Sequence, residues 1–170
     1  MAVISFTPTT WVDDSSPYIT AAQLNRLETA VDELAGGDSA AWSTWTPSYA
    51  NITVGNGTVS ARYSRVGDTI TATYYFVLGS TSSIGSNATF SIPVTAATTS
   101  VGFSMGTCRF TDGGSPNYGG APFLTSATTV LPQAHTTSGT YSVYTNLTAS
   151  VPFTWASGDV LRAMFTYEAA

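Results

Sequence analysis

Two alternating segments joined by a Gly-Asp turn constrain the fold of this chain more than any other feature. The segments TVSARYSRV and TITATYYFVL flank Gly67-Asp68. Alternation with a period of two indicates strands, and a two-residue turn with glycine joins antiparallel strands into a hairpin. One face of the second strand is apolar and is predicted to face the core: Ile70, Ala72, Tyr74, Phe76 and Leu78.

Further strand-like segments follow, separated by turns rich in Gly, Ser, Asn and Pro: ATFSIPV, TSVGFSMGTCRFT, ATTVLPQAH, TYSVYTNLT and DVLRAMFTYEA. No helical period recurs after Gly36, and 170 residues allow one domain and a short appendage. We therefore predict a mainly β fold. It consists of an antiparallel β-sandwich of jelly-roll type, or a related barrel, over residues 48–170, preceded by a linker over 37–47. We call the predicted 48–170 domain the knob.

A single helix is predicted ahead of the strands, within YITAAQLNRLETAVDELAGG at residues 18–37. Thr20 and Gln23 fit a capping box, in which the hydroxyl accepts the Gln23 amide and the glutamine side chain accepts the Thr20 amide. Gly36-Gly37 supplies the left-handed backbone that ends a helix. The pattern predicts a helical segment at 19–36, with helical backbone from Ala21 to about Ala35.

The apolar residues of this helix form a narrow stripe, which we call the seam: Leu24, Leu27, Val31 and Leu34. Their spacing of three, four and three is that of a and d positions in a coiled coil. A helix of about 15 residues is marginal alone in water, so the seam requires a cover. Either the helix folds back on its own β domain, or it meets copies of itself. The flexible Gly-Gly-Asp-Ser segment that follows favours copies.

Charge and residue usage exclude several classes of partner. The net charge is −5, and five arginines with no lysine cannot neutralise a nucleic-acid backbone. With Cys108 and His135 as the single cysteine and histidine, no disulfide or zinc cluster is expected, and no cofactor is predicted. No apolar run suits a membrane span and the first residues lack signal-peptide features, so we expect synthesis in the cytoplasm without membrane insertion.

Four Asn-x-Thr triplets would accept glycans in a secretory pathway, and we interpret them as chance matches because Asn and Thr are common here. They begin at Asn51, Asn56, Asn87 and Asn146.

Two patterns of possible catalysis are weighed and set aside. GFSMG at 102–106 matches a nucleophile elbow, and Ser104, Asp112 and His135 follow in hydrolase order. That elbow requires a helix after the turn, whereas this motif continues into more strand, and His135 is expected in a loop or at a strand end. Carboxylate pairs for glycoside hydrolysis are the other option, but the candidates look like helix or turn residues: Glu28, Glu33, Asp68, Asp112 and Asp159. We predict no enzymatic activity.

Aromatic residues are expected to lie mostly in the core or in a subunit interface, and some surface ones could stack on sugars. The candidates are Trp42, Trp45, Tyr63, Tyr74, Tyr75, Tyr144, Phe153, Trp155 and Tyr167.

Two stretches resemble virion proteins of tailed bacteriophages. TPTTWVDDSSPYITAAQLNRLETAVDEL is similar to the N-terminal segment of minor tail and fibre proteins. The second stretch is WTPSYANITVGNGTVSARYSRVGDTITATYYFVLGSTSSIG, together with the closing VPFTWASGDVLRAMFTYEAA. It resembles the β-rich outer domain of virion proteins from phages that infect actinobacteria. The residues that match the first pattern are Trp11, Asp13, Asp14, Ile19, Thr20, Ala21, Leu24, Asn25, Leu27 and Glu28.

The resemblance implies a non-enzymatic homotrimer on the virion surface. Residues 1–18 would attach to the particle, and the helices would form a three-stranded stalk through the seam. The knob would face outward, where it could bind host-surface carbohydrate. The residues assigned to particle attachment are Phe6, Pro8, Trp11 and Tyr18.

The short stalk departs from the usual long fibre and keeps two alternatives open. One is a capsid decoration or head-fibre protein that attaches to the capsid through its N-terminal segment. The other is a small virion-associated esterase or depolymerase.

Overall fold

The computed structural model describes residues 20–34, 41–114, 117–138 and 140–170. The chain divides into two units, Met1–Ala41 and Trp42–Ala170, which we call the helical unit and the β unit. The predicted linker at 37–47 lies partly outside the described residues, and its last six residues belong to the β unit.

In the helical unit, α1 spans Ala21–Leu34, close to the predicted bounds. The capping box is confirmed. The Thr20 amide donates to Gln23 Oε1 at 2.7 Å, and the Gln23 amide donates to Thr20 Oγ1 at 3.3 Å. These bonds satisfy two of the free amides at the start of the helix. The predicted glycine stop at 36–37 lies outside the described residues.

The described residues of the β unit form ten antiparallel strands in one sheet. The strands are β1 (Ser43–Thr44), β2 (Tyr49–Thr53), β3 (Thr58–Val66), β4 (Thr69–Val77), β5 (Ser83–Ser91), β6 (Gly106–Thr111), β7 (Asn117–Ser126), β8 (Thr129–Ser138), β9 (Tyr141–Asn146) and β10 (Val160–Glu168). Their order is β1-β3-β4-β10-β6-β7-β8-β5-β2, and β9 also pairs with β8. The mainly β, antiparallel fold is thereby confirmed, and the single sheet curls in a β-sandwich-like manner.

The β3–β4 hairpin follows the prediction. Val66 pairs with Thr69 across the turn, and Gly67 adopts a φ of 58° that most side chains disfavour. The five apolar residues predicted for one face of the second segment are all buried in the structure. Alternation alone therefore identified the core face of the second strand.

The curl of the sheet brings β5 over β4 and β10, and aromatic rings fill the space between them. The Phe90 ring stacks on Tyr74 with centroids 4.2 Å apart, and lies 6.2 Å from the Phe165 ring. Trp45, ahead of β2, packs edge-on against Phe165 and Tyr63. Residues just after Trp42 therefore help to close the core, which is why the β unit begins earlier than the predicted knob.

Several strands differ from the predicted segments. β7 was not predicted, because Gly119-Gly120 and Pro122 are typical of turns. In the structure a Cβ on Gly120 would lie 2.0 Å from the Gln133 carbonyl oxygen, so the glycine permits close pairing with β8. β5 begins five residues before its predicted segment, and β6 begins only at Gly106.

Candidate functional site

The seam of α1 is half exposed along its described length. Leu24, Leu27 and Val31 keep 47%, 51% and 53% of their surface accessible. Leu34 ends the helix, and its side chain lies outside the described residues. Apolar side chains in a regular a/d row that stay half exposed form a surface suited to another helix.

The four residues assigned to particle attachment, Phe6, Pro8, Trp11 and Tyr18, lie outside the described residues. Their assignment stays a prediction.

The charge of the chain is divided unequally between its two units. Residues 1–41 contain six acidic residues and one arginine, whereas residues 42–170 contain four acidic residues and four arginines. The net charge of −5 thus belongs to the helical unit, and the β unit is formally neutral. With only four carboxylates in the β unit, few partners exist that could form ion pairs with its four arginines.

Three of those arginines lie on one outward face of the sheet, which we call the arginine face. In β10 buried and exposed residues alternate, and this alternation places Arg162 outside the core. Register places Arg162 opposite Tyr75 of β4 on one side and opposite Arg109 of β6 on the other. Arg62 of β3 lies on the same face, opposite Thr73. The face therefore carries positive charge across four adjacent strands.

Three side chains hold the arginines of this face in place. The Arg162 guanidinium lies over the Tyr75 ring, 4.8 Å from its centroid, as a cation–π contact. The Nε of Arg109 donates to Asn117 Oδ1 at 3.1 Å. The Arg62 guanidinium lies 5.8 Å from the Trp42 ring centroid. These contacts restrict the arginines without neutralising them.

A shallow depression of about 350 Å³ lies between Arg109 and Arg162. Thr73, Thr107 and Met164 contribute to its lining, and Met164 is 55% exposed. The depression thus combines hydroxyl groups, apolar surface and two guanidinium groups.

None of the acidic residues of the β unit neutralises this face. Asp68 pairs with Arg65 at 3.2 Å, Glu168 accepts a hydrogen bond from the Thr99 hydroxyl, and Asp159 is buried. Arg62, Arg109 and Arg162 have no ion pair among the described residues, and neither does Asp112. Among the described residues, no carboxylate therefore forms an ion pair with a guanidinium of the arginine face.

The residues of the possible hydrolase motif do not form one cluster. Ser104 lies in the loop before β6 and lines a depression beside Phe103. His135 is an exposed residue within β8, its ring is 4.4 Å from that of Tyr144, and it lines another depression. The segment after Ser104 continues into β6 and not into a helix. The continuation into strand that was expected after GFSMG is observed, but most of the motif itself lies in a loop and not within the predicted strand.

Asp159 has a structural role that accounts for its burial. Its Oδ1 accepts the Gly113 amide at 2.9 Å and its Oδ2 accepts the Ala156 amide at 2.6 Å. Only 2% of the residue is exposed. Both carboxylate oxygens are thus used to hold two loops together, which fits the turn role predicted for it.

Cys108 lies buried in the core, and this burial raises the pKa of its thiol. Because the thiolate is the nucleophile and the metal-binding form, this cysteine is inert. Among the described residues no group of three or more His, Cys, Asp and Glu side chains could hold a metal ion.

The four Asn-x-Thr asparagines take part in local hydrogen bonds. Three of them, Asn51, Asn56 and Asn146, donate through Nδ2, the atom that would carry a glycan. Asn87 accepts the bond from Asn146 and, like Asn51, has a positive φ. These side chains therefore stabilise bulges and turns of the sheet.

The described part of the chain has one α-helix, of 14 residues, and no helix there has the length and apolarity required to cross a bilayer. No protein-family model, curated protein or solved structure matches the chain.

Proposed function

We propose that this chain is a non-enzymatic structural protein of a tailed-phage virion, a homotrimer of the tail-fibre or minor-tail type. The observation that carries the proposal is that the seam of α1 is half exposed, whereas the β unit has a core of its own. In a trimer the three seams cover one another and form a short stalk. Residues 1–18 attach the stalk to the particle, and the β unit is displayed as the outward knob.

The surface of the β unit supports a role outside a cell. Much of the sheet surface carries hydroxyl groups and few charged side chains. One example is the 3.3 Å contact between the hydroxyls of Thr71 and Thr166 on neighbouring strands. Exposed aromatic residues such as Tyr141 and Tyr144 offer ring faces to sugars. We therefore assign host-surface carbohydrate as the ligand of the knob.

The length of α1 favours a second candidate, a capsid decoration or head-fibre protein. Fourteen residues give a stalk of about 21 Å at about 1.5 Å per residue. This is short for a fibre that must reach a host receptor, but sufficient for a knob that stands directly on the capsid.

Two measurements test these proposals. Light scattering of the full chain should give three times the mass calculated from the 17.7 kDa sequence, and a chain that stays monomeric at high concentration contradicts the stalk. On purified virions, an antibody against the β unit should label the tail. Label over the head would instead establish the capsid candidate.

The enzymatic alternative is tested with host-wall glycans and ester substrates. We expect no released sugar and no labelling of Ser104 by a fluorophosphonate probe. Turnover that is lost in Ser104→Ala would replace the structural proposal with a hydrolase.

A further inference from the structure

The pairing of Arg109 with Arg162 is an unfavourable arrangement in the free protein. Residues directly opposite each other on antiparallel strands have Cα atoms about 4.5–5.5 Å apart, and like charges in such a pair repel. Neither guanidinium has an ion pair among the described residues. An anion held between the two would turn this repulsion into two attractive contacts.

Both side chains are prepared for such an anion. Arg162 rests on the Tyr75 ring, and Arg109 uses only its Nε, in the bond to Asn117. The terminal nitrogens of both guanidinium groups are left to act as donors in planar pairs. Such pairs match the geometry of carboxylate and phosphate oxygens.

We propose that Arg109 and Arg162 bind the anionic group of an acidic saccharide, a carboxylate or a phosphate, in the depression between them. This inference rests on the proposed carbohydrate binding by the knob and assigns that binding a site and a ligand class. Thr73 and Thr107 supply hydroxyl groups for the sugar, and Met164 supplies apolar contact for its ring hydrogens.

The size of the depression agrees with one or two sugar units. Its volume of about 350 Å³ lies at the lower end of small-ligand sites, which span about 300–1,000 Å³. The formal neutrality of the β unit also matters, because the unit has no net negative charge that would repel an anionic ligand.

The test is calorimetric titration of the full chain with three oligosaccharides of equal length. One carries uronate carboxylates, one is linked by phosphodiesters, and one is neutral. We expect at least one acidic ligand to bind about tenfold or more tightly than the neutral one, with affinity falling as salt is added. The tighter acidic ligand identifies the anion.

Arg109→Gln and Arg162→Gln should each weaken acidic binding about tenfold or more without lowering the melting temperature, because each removes one of two like charges that repel in the free protein. Arg65→Gln is the matched control, since it removes the same charge from a side chain already paired with Asp68. Its binding should stay within about twofold of the parent chain. Equal losses in all three variants, or none in the first two, would overturn the site.

The remaining outcomes separate this inference from the proposed function. If only the neutral ligand binds, carbohydrate recognition by the knob is supported and the anionic site is contradicted. Failure of all three ligands, with sugar arrays also negative, removes both. Light scattering of Arg109→Gln/Arg162→Gln must still show the parent mass, because dissociation would make the arginine face a contact between copies of the chain.

Discussion

The helical unit and the β unit differ in how far their apolar side chains are exposed to solvent. In α1 the described seam residues are about half exposed, whereas in β4 the apolar face is almost completely buried. The β unit thus has within itself the contacts that its fold requires. The helix does not, and its stability in water depends on contacts beyond its own 14 residues. In the proposed trimer, copies of the chain would supply those contacts.

The largest effect should come from Leu27→Asp, because a trimer carries the change three times. Each chain loses about 1.5–3 kcal/mol of apolar burial and places a carboxylate in the seam. We expect the trimer mass to fall to that of the monomer, while urea unfolding of the β unit is unchanged. Asn25→Asp adds the same charge beside the seam and should remain trimeric. A trimeric Leu27→Asp variant would show that α1 is not the main joint.

Phe90→Ala should produce the reverse pattern. The ring is fully buried and stacks on Tyr74, so its removal should cost about 3–5 kcal/mol of unfolding free energy. Urea unfolding of the β unit measures the loss. Phe103→Ala, in which a 65% exposed ring is removed, should change stability by about 0.5 kcal/mol or less. Equal losses would mean that the β unit depends on its surface as much as its core.

Asp159→Asn tests whether the buried Asp159 carboxylate contributes to the stability of the β unit. The amide keeps one acceptor oxygen but directs an N–H group at a backbone N–H, so we expect a loss of about 1–3 kcal/mol. Asp68→Asn removes an exposed carboxylate paired with Arg65 and should cost about 0–1 kcal/mol. Thermal unfolding of both variants would show whether burial produces this difference.

Two buried tyrosines give a finer comparison within the core. The Tyr167 hydroxyl donates to the Val94 carbonyl at 2.8 Å. The buried Tyr74 hydroxyl lies near the Tyr49 side chain but has no partner among the described residues with full hydrogen-bond geometry. Tyr167→Phe should lose about 1 kcal/mol, and Tyr74→Phe should be neutral or stabilising. Denaturant midpoints of the two variants test this order, and a larger loss in Tyr74→Phe would contradict it.

The smallest effect at neutral pH is the titration of Tyr167. Burial, the largest cause, raises the pKa of this hydroxyl from 10.0 to about 12. Because the folded pKa is the higher one, its stabilising contribution is complete below pH 10 and is lost as the pH rises through 12. The slope of unfolding free energy against pH should be shallower in Tyr167→Phe over this interval. The difference in slope between the two chains isolates Tyr167, which belongs to the β unit.

Local features of the fold could be predicted from the sequence. The β3–β4 hairpin depends on a glycine turn and a period of two, and the start of α1 depends on Thr20 and Gln23. Each involves residues close together in the chain. Such interactions leave their signature in consecutive letters, so they were predicted with nearly correct bounds.

The strand order and the arginine face depend on distant residues and could not be predicted. Tyr75, Arg109 and Arg162 become neighbours only because β10 enters between β4 and β6. β7 was not predicted from the sequence for a related reason. Its glycine at 120 is required by the approach of the β8 backbone, which is a contact that turn statistics do not contain. Both the arginine face and β7 depend on contacts between residues far apart in the chain, which is why neither was predicted.

The central position of β10 has a consequence for how the protein is made. This strand, Val160–Glu168, fills the gap between β4 and β6, although those strands leave the ribosome long before it. During synthesis the two flanking strands wait with unpaired edges, while α1 has already emerged. If the proposed trimer forms, nascent chains on one messenger would join through their helices before any sheet is complete, at the risk of exchanging strands between neighbours.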